Sequence, residues 1–166
     1  GDGNFLWRCT GTLMSPTLFL TAGHCVEPPA AHVEVWFDSD IDAGMPGNGY
    51  PHTGQVTGTP SMHPQYDPNF FIGWDLGMVV LDSPVVMAQY GALPAPDSLD
   101  ALKPGKRTTF TTVGYGAQEG YPPAASWKLQ PRRLRMVATP HLVQINRRGS
   151  TGDFSRAVKY TRPRAS

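Results

Sequence analysis

The sequence contains no apolar run long enough to cross a bilayer, and its first residues have neither the basic nor the apolar segment of a secretory leader. A water-soluble chain that starts without a signal peptide is therefore expected. Charge is sparse, with only 16% Asp, Glu, Lys and Arg, and the apolar fraction of 40% is slightly low. No internal repeat is visible. Neither an H-E-x-x-H segment nor a paired-cysteine motif occurs, which leaves zinc without support. Cysteine is limited to Cys9 and Cys25, which alone is weak evidence for an oxidising compartment, since two free buried thiols would look the same. What is abundant is turn chemistry. Gly and Pro make up 35 of 166 residues, which points to many turns and short strands while staying below low-complexity levels.

At 166 residues the chain suffices for one domain or two small ones. Its charge is lopsided. Residues 1–130 hold 5 Lys/Arg against 12 Asp/Glu, and residues 131–166 hold 9 against 1. Such asymmetry marks either a polyanion-binding tail or a basic surface that meets acidic chain missing from these residues, and the second reading is the plainer.

The candidate chemistry starts at Leu18-Phe19-Leu20-Thr21-Ala22-Gly23-His24-Cys25, an apolar strand running into a tight turn that presents a histidine. An imidazole titrates near neutral pH, so one fixed at the end of a strand suits proton transfer to and from a hydroxyl. The whole stretch from Cys9 runs Cys, small residues, a Ser-Pro turn, the strand, then Thr-Ala-Gly-His-Cys. It resembles the histidine segment of the chymotrypsin/trypsin-like serine proteases, C-G-G-[ST]-L-I-x-x-x-x-V-L-T-A-A-H-C, with Gly23 in place of the second Ala. Further segments in the same order strengthen the resemblance. His63-Pro64-Gln65-Tyr66 matches the family's H-P-x-Y, Asp75-Leu76-Gly77-Met78-Val79-Val80-Leu81 answers to D-[IL]-A-L-[LIV]-x-L, and Val113-Gly114-Tyr115-Gly116 to V-x-G-W-G.

The resemblance implies a disulfide between Cys9 and Cys25 and, with it, secretion. It also implies an all-β fold, the trypsin-like double six-stranded antiparallel β-barrel with the second barrel incomplete. Residues 1–85 would form the first barrel, 86–105 the connection and 106–166 part of the second. His24 takes the family's role of general base and Asp75 that of the acid that orients it. An Asp at the head of a strand that is apolar almost throughout must also find a hydrogen-bond partner on physical grounds alone, and His24 is the natural one. The order His, then Asp, fits this family and not subtilisin-like enzymes or α/β-hydrolases.

The nucleophile is the gap. The family's G-D-S-G-G-P occurs nowhere in the sequence. Ser150, in Gly149-Ser150-Thr151-Gly152-Asp153, has the wrong order around it, and Ser155 and Ser166 are no better. The start, Gly1-Asp2-Gly3-Asn4, is not the family's I-V-G-G. The expectation is thus a serine endopeptidase truncated before its serine, inactive alone and left with exposed strand edges that favour instability or aggregation. It would act on protein or peptide substrates as a monomer, with no cofactor, metal, nucleic acid or membrane. The rival is a non-catalytic homologue acting as a binding or regulatory module.

Trp7 should anchor the core, and His63 should pack or turn. His32, His52 and His141 carry no signal. The acidic stretch 38–49 reads as a solvated loop, with calcium a minor alternative that lacks the bidentate Glu of an EF-hand. Strands are expected over Val33–Phe37, Gln55–Thr59, Lys106–Val113 and Leu134–Thr139.

Overall fold

The computed structural model describes residues 6–70, 74–116, 132–144 and 157–159. Short β-branched and apolar runs separated by turn residues give short strands, as their composition requires. Strands β1 (Thr12–Ser15) and β2 (Leu18–Thr21) form a hairpin closed by Pro16 and Thr17. Then follow β3 (Val33–Val35), a single helical turn α1 (Ile41–Gly44), β4 (Val56–Met62) and β5 (Gly77–Leu81). The five strands make one antiparallel sheet in the order β1-β2-β5-β4-β3.

β5 lies at the centre of this sheet and shows why its run of apolar residues does not make it buried on both faces. Gly77, Val79 and Leu81 are buried, Met78 is half-buried, and Val80 is 54% exposed. Side chains of a strand alternate between faces, so only one face reaches the core. That core joins Val79 and Leu81 to Leu13, Val26, Val35 and Val56, with Phe19, Val33, Phe37, Val85 and Tyr90 packed around them.

Two boundaries differ from expectation. β3 stops at Val35 because Trp36 and Phe37 turn to other partners: Trp36 Nε1 donates to the Asn48 carbonyl and the Phe37 N–H to Gln55 Oε1. β4 instead runs three residues beyond Thr59 and includes Pro60. Proline lacks a donor and is tolerated where one strand edge is open. β3 covers only Val56–Gly58 of β4, so Pro60 faces that open side.

The second region carries β6 (Gly105–Thr109), β7 (Thr112–Gly114), β8 (Met136–Ala138), β9 (His141–Gln144) and β10 (Ala157–Lys159). The single strand expected over 106–113 is thus two strands in two sheets, one ordered β10-β9-β6 and one pairing β7 with β8. Among the described residues the elements are mostly strands with almost no helix, which is the all-β character expected. Among the described residues, however, the first sheet is open and five-stranded rather than a closed six-stranded barrel. Closure needs the edge strands to pair, and β3 spends its three residues on β4 while β1 pairs only with β2.

The acidic stretch 38–49 is not simply a solvated loop. Asp40 caps α1 by accepting the Ala43 N–H at 3.0 Å. Asp42 accepts the Arg133 backbone N–H at 2.9 Å and Arg133 Nη1 at 2.6 Å, and Arg132 reaches Asp40 at 3.8 Å. The Arg133 guanidinium also lies 4.8 Å from the Tyr50 ring centre, and the Tyr50 ring meets Trp36 edge-on at 5.1 Å. Backbone bonds from Ile41 N–H to the Arg133 carbonyl and from Arg135 N–H to the Ser39 carbonyl complete a clasp between the two regions. Arg132 and Arg133, at the start of the basic segment, thus meet acidic chain within these residues, at Asp40 and Asp42; Arg147, Arg148, Arg156, Arg162 and Arg164 lie outside the described residues.

Trp7 is likewise corrected. It is 39% exposed and stays outside the core, whose positions are taken by Val and Leu side chains. Between Leu81 and Gly105 the described chain forms turns and no strand.

Candidate active site

β2 ends at Thr21 opposite Gly77, the first residue of β5. The chain then closes a 3-10 turn over Gly23–Cys25, held by Cys25 N–H to the Ala22 carbonyl at 3.2 Å and Val26 N–H to the Gly23 carbonyl at 3.0 Å. Val26 is buried and anchors the far side of the turn in the core. Gly77 lets the turn sit this low: a Cβ there would lie 2.5 Å from both the Ala22 carbonyl oxygen and Val26 Cγ2. Cys25 is bonded to Cys9, with the two Cα atoms 6.2 Å apart, so the turn is also tied covalently to the chain before β1.

Asp75 reaches this turn from the residues just before β5. Its Oδ1 accepts the backbone N–H of His24 at 2.9 Å, and its Oδ2 lies 2.9 Å from His24 Nδ1. Burial would push the Asp75 carboxyl up, but donation from the His24 backbone and ring, with a smaller contribution from the Gly23 N–H, outweighs it and holds the group below the ordinary aspartate value. The carboxylate is then ionised at neutral pH and accepts only, so Nδ1 must carry the proton. Nε2 of the neutral ring is left with its lone pair. His24 is 49% exposed against 23% for Asp75, so the imidazole is open to solvent while its partner stays sheltered. A histidine held in this way by a carboxylate is an arrangement suited to general acid–base chemistry.

The neighbouring residues fall into place around the pair. His63 is a turn residue: its Nδ1 accepts the Gln65 N–H at 3.1 Å, and its ring stacks on Trp74 with centres 4.9 Å apart. Trp74, adjacent to Asp75, is 54% exposed and takes φ 61, a left-handed conformation uncommon for a bulky residue. Tyr66 packs beside Gly23 and donates its hydroxyl to Glu27 Oε2 at 2.9 Å. Burial first, then Glu27, pushes the Tyr66 phenol up to about 12. The sequence marked Tyr66 only as part of H-P-x-Y and gave Glu27 no role. What links them is a contact between residues 39 apart.

Of the other named candidates, Ser150, Ser155 and Ser166 lie outside the described residues. His32 meets Glu34 at 3.4 Å. Cys9, His24 and Cys25 come close enough together to suggest a metal site, yet both sulfurs are spent in the disulfide and neither is a thiolate. The carboxylates of Asp40 and Asp42, named for calcium, face guanidinium groups. A cavity of about 1100 Å³ opens elsewhere, lined by Phe19, Val33, Trp36, Tyr115 and Arg133 among others. It reaches Cys25 but is not lined by His24 or Asp75.

Comparison with protein families decides the affiliation. The family model described as Trypsin matches residues 3–158. The chain belongs to the trypsin family. The match spans both regions and includes His24 and Asp75, and it makes the protein a member of a family of serine proteases that act on protein substrates. No curated protein matches the chain.

Proposed function

We propose that the chain is part of a secreted serine-type endopeptidase, with His24 as general base and Asp75 as the carboxylate that orients it. The observation that carries this reading is the two-point contact of Asp75 with His24 in a member of the trypsin family. The roles are inherited from the family's own triad rather than newly derived. In that chemistry His24 Nε2 takes the proton of a serine hydroxyl as the oxygen attacks a peptide carbonyl. The imidazolium so formed is stabilised by ionised Asp75 and then protonates the leaving amine, giving an acyl-enzyme that water hydrolyses with the same base. No cofactor enters these steps.

The 166 residues contain no G-D-S-G-G segment, so the serine and its oxyanion donors must come from chain not among them for hydrolysis to occur. Residues 1–85, 86–105 and 106–166 correspond in this proposal to the first barrel of the family's plan, the connection and part of the second barrel. The protein would work as a monomer on protein or peptide substrates.

The test is to read the coding sequence past Ser166 for a Gly-Asp-Ser-Gly-Gly segment and to treat the encoded protein with a fluorophosphonate probe. Labelling of that serine is the expected result. A coding sequence without such a serine would overturn the endopeptidase reading in favour of a non-catalytic homologue that binds or regulates.

A further inference from the structure

Tyr66 touches both halves of the site without touching the reacting atoms. Its ring sits against Gly23: a Cβ on that glycine would lie 3.0 Å from Tyr66 Cδ2, 3.1 Å from its Cγ and 3.2 Å from Asp75 Oδ1. The ring and the carboxylate therefore pack on the same face of the residue that precedes His24. The hydroxyl donates to Glu27, on the other side of the same turn. The Tyr66 backbone N–H donates to the His63 carbonyl at 2.9 Å, and the His63 N–H donates to the Leu76 carbonyl at 2.8 Å, beside Asp75.

We propose that Tyr66 is a positioning residue, a strut between Gly23 and Glu27 that holds the histidine turn in the place where Asp75 grips His24 at two points. This rests on the reading of His24 and Asp75 as base and orienter. Three mechanical facts support it. Within the turn only two backbone hydrogen bonds close it, and its disulfide and Val26 anchors both lie after His24, which leaves the Gly23 side to be held by other contacts. The strut meets it before His24, at Gly23, and after it, at Glu27, so a rotation of the turn is opposed at both ends. And where the related sequence pattern has Ala, this chain has Gly23; a Cβ there would press on the ring at 3.0–3.1 Å, tighter than ordinary van der Waals contact, so the glycine leaves the room the ring uses.

The groups facing the phenol are Glu27, Asp67 and Asp75, all acidic, and they favour its protonated, donating form together with burial. The strut is consequently intact throughout the neutral range, where Asp75 is ionised. Loss of the hydroxyl alone frees Glu27 and leaves the ring in place, so the tie is removed while the packing is kept.

Amide hydrogen exchange in the full chain reads this directly. The His24 N–H is bonded to Asp75 Oδ1, whereas the neighbouring Cys25 and Val26 N–H groups are bonded within the turn. In Tyr66→Phe the exchange of the His24 amide should accelerate roughly tenfold, the scale of one charge-assisted hydrogen bond, with Cys25, Val26 and the core amide of Val79 unchanged. Glu27→Ala should reproduce the effect, and Glu27→Gln, which keeps an acceptor, should restore slow exchange. Unchanged His24 exchange in Tyr66→Phe and Glu27→Ala, or equal acceleration at all four amides, would overturn the proposal. None of these readouts involves hydrolysis. A failed strut therefore leaves the endopeptidase reading standing, and a missing nucleophile leaves the strut measurable.

Discussion

Asp75 engages His24 with both carboxylate oxygens, Oδ1 on the backbone N–H and Oδ2 on ring Nδ1, each at 2.9 Å. One contact fixes the turn and the other fixes the ring, so the orientation of the imidazole does not depend on a single rotatable bond. A partner that held only the ring would leave the backbone of Gly23–Cys25 free to shift beneath it.

This double contact makes stability depend on pH. The Asp75 carboxyl is held below its ordinary value in the folded chain, so the unfolded chain binds its proton more readily. The stabilisation is present above the unfolded aspartate value and is lost as pH falls through the lower, folded one. Urea denaturation from pH 7 downward should show a loss of stability in that acidic window which Asp75→Asn does not share. Parallel curves for the two proteins would contradict it.

Arg133 and Asp42 form the clasp between regions 91 residues apart. Both side chains are less than one-third exposed, and Asp42 is bonded to both the backbone and the guanidinium of Arg133. Asp42→Ala should cost about 1–3 kcal/mol, because it strands a partly buried guanidinium. Denaturant midpoints check the size, and an exchange experiment should show the loss at the Ile41 and Arg135 amides.

The disulfide and the central strand set two further scales. Replacing Cys9 and Cys25 together by Ser should destabilise the fold by roughly 3 kcal/mol in the chain-entropy model for a loop of this length. Val79→Ala should cost about 2 kcal/mol, since Val79 is fully buried at the centre of the core cluster. Equilibrium denaturation of each variant measures both.

Gly77 provides a steric test of the site. An added Cβ would collide with the Ala22 carbonyl and Val26, so Gly77→Ala should push the histidine turn away from β5. A destabilisation of about 1–3 kcal/mol is expected, accompanied by faster exchange of the His24 amide. A silent Gly77→Ala would mean that the turn does not rest on β5.

The local features were legible because their causes are local. The strand Leu18–Thr21, the turn that follows and the placement of Asp75 beside β5 all lie in short segments whose residue types carry the pattern. The clasp was not legible, because nothing near Asp42 announces an arginine 91 residues on. Trp7 misled because size alone does not bury a residue. The break between β6 and β7 at Phe110 and Thr111 reflects pairing to different sheets, which composition does not encode. Phe110 N–H donates to the Pro140 carbonyl at this crossover.

Turnover of a peptide substrate by the protein encoded through the nucleophile segment tests most directly whether His24 is a catalytic base held by Asp75. His24→Ala should abolish hydrolysis while leaving the denaturation midpoint nearly unchanged. Asp75→Asn should lower kcat by roughly 10⁴-fold, as the family's triad behaves. Hydrolysis at the unmodified rate in His24→Ala would contradict the account.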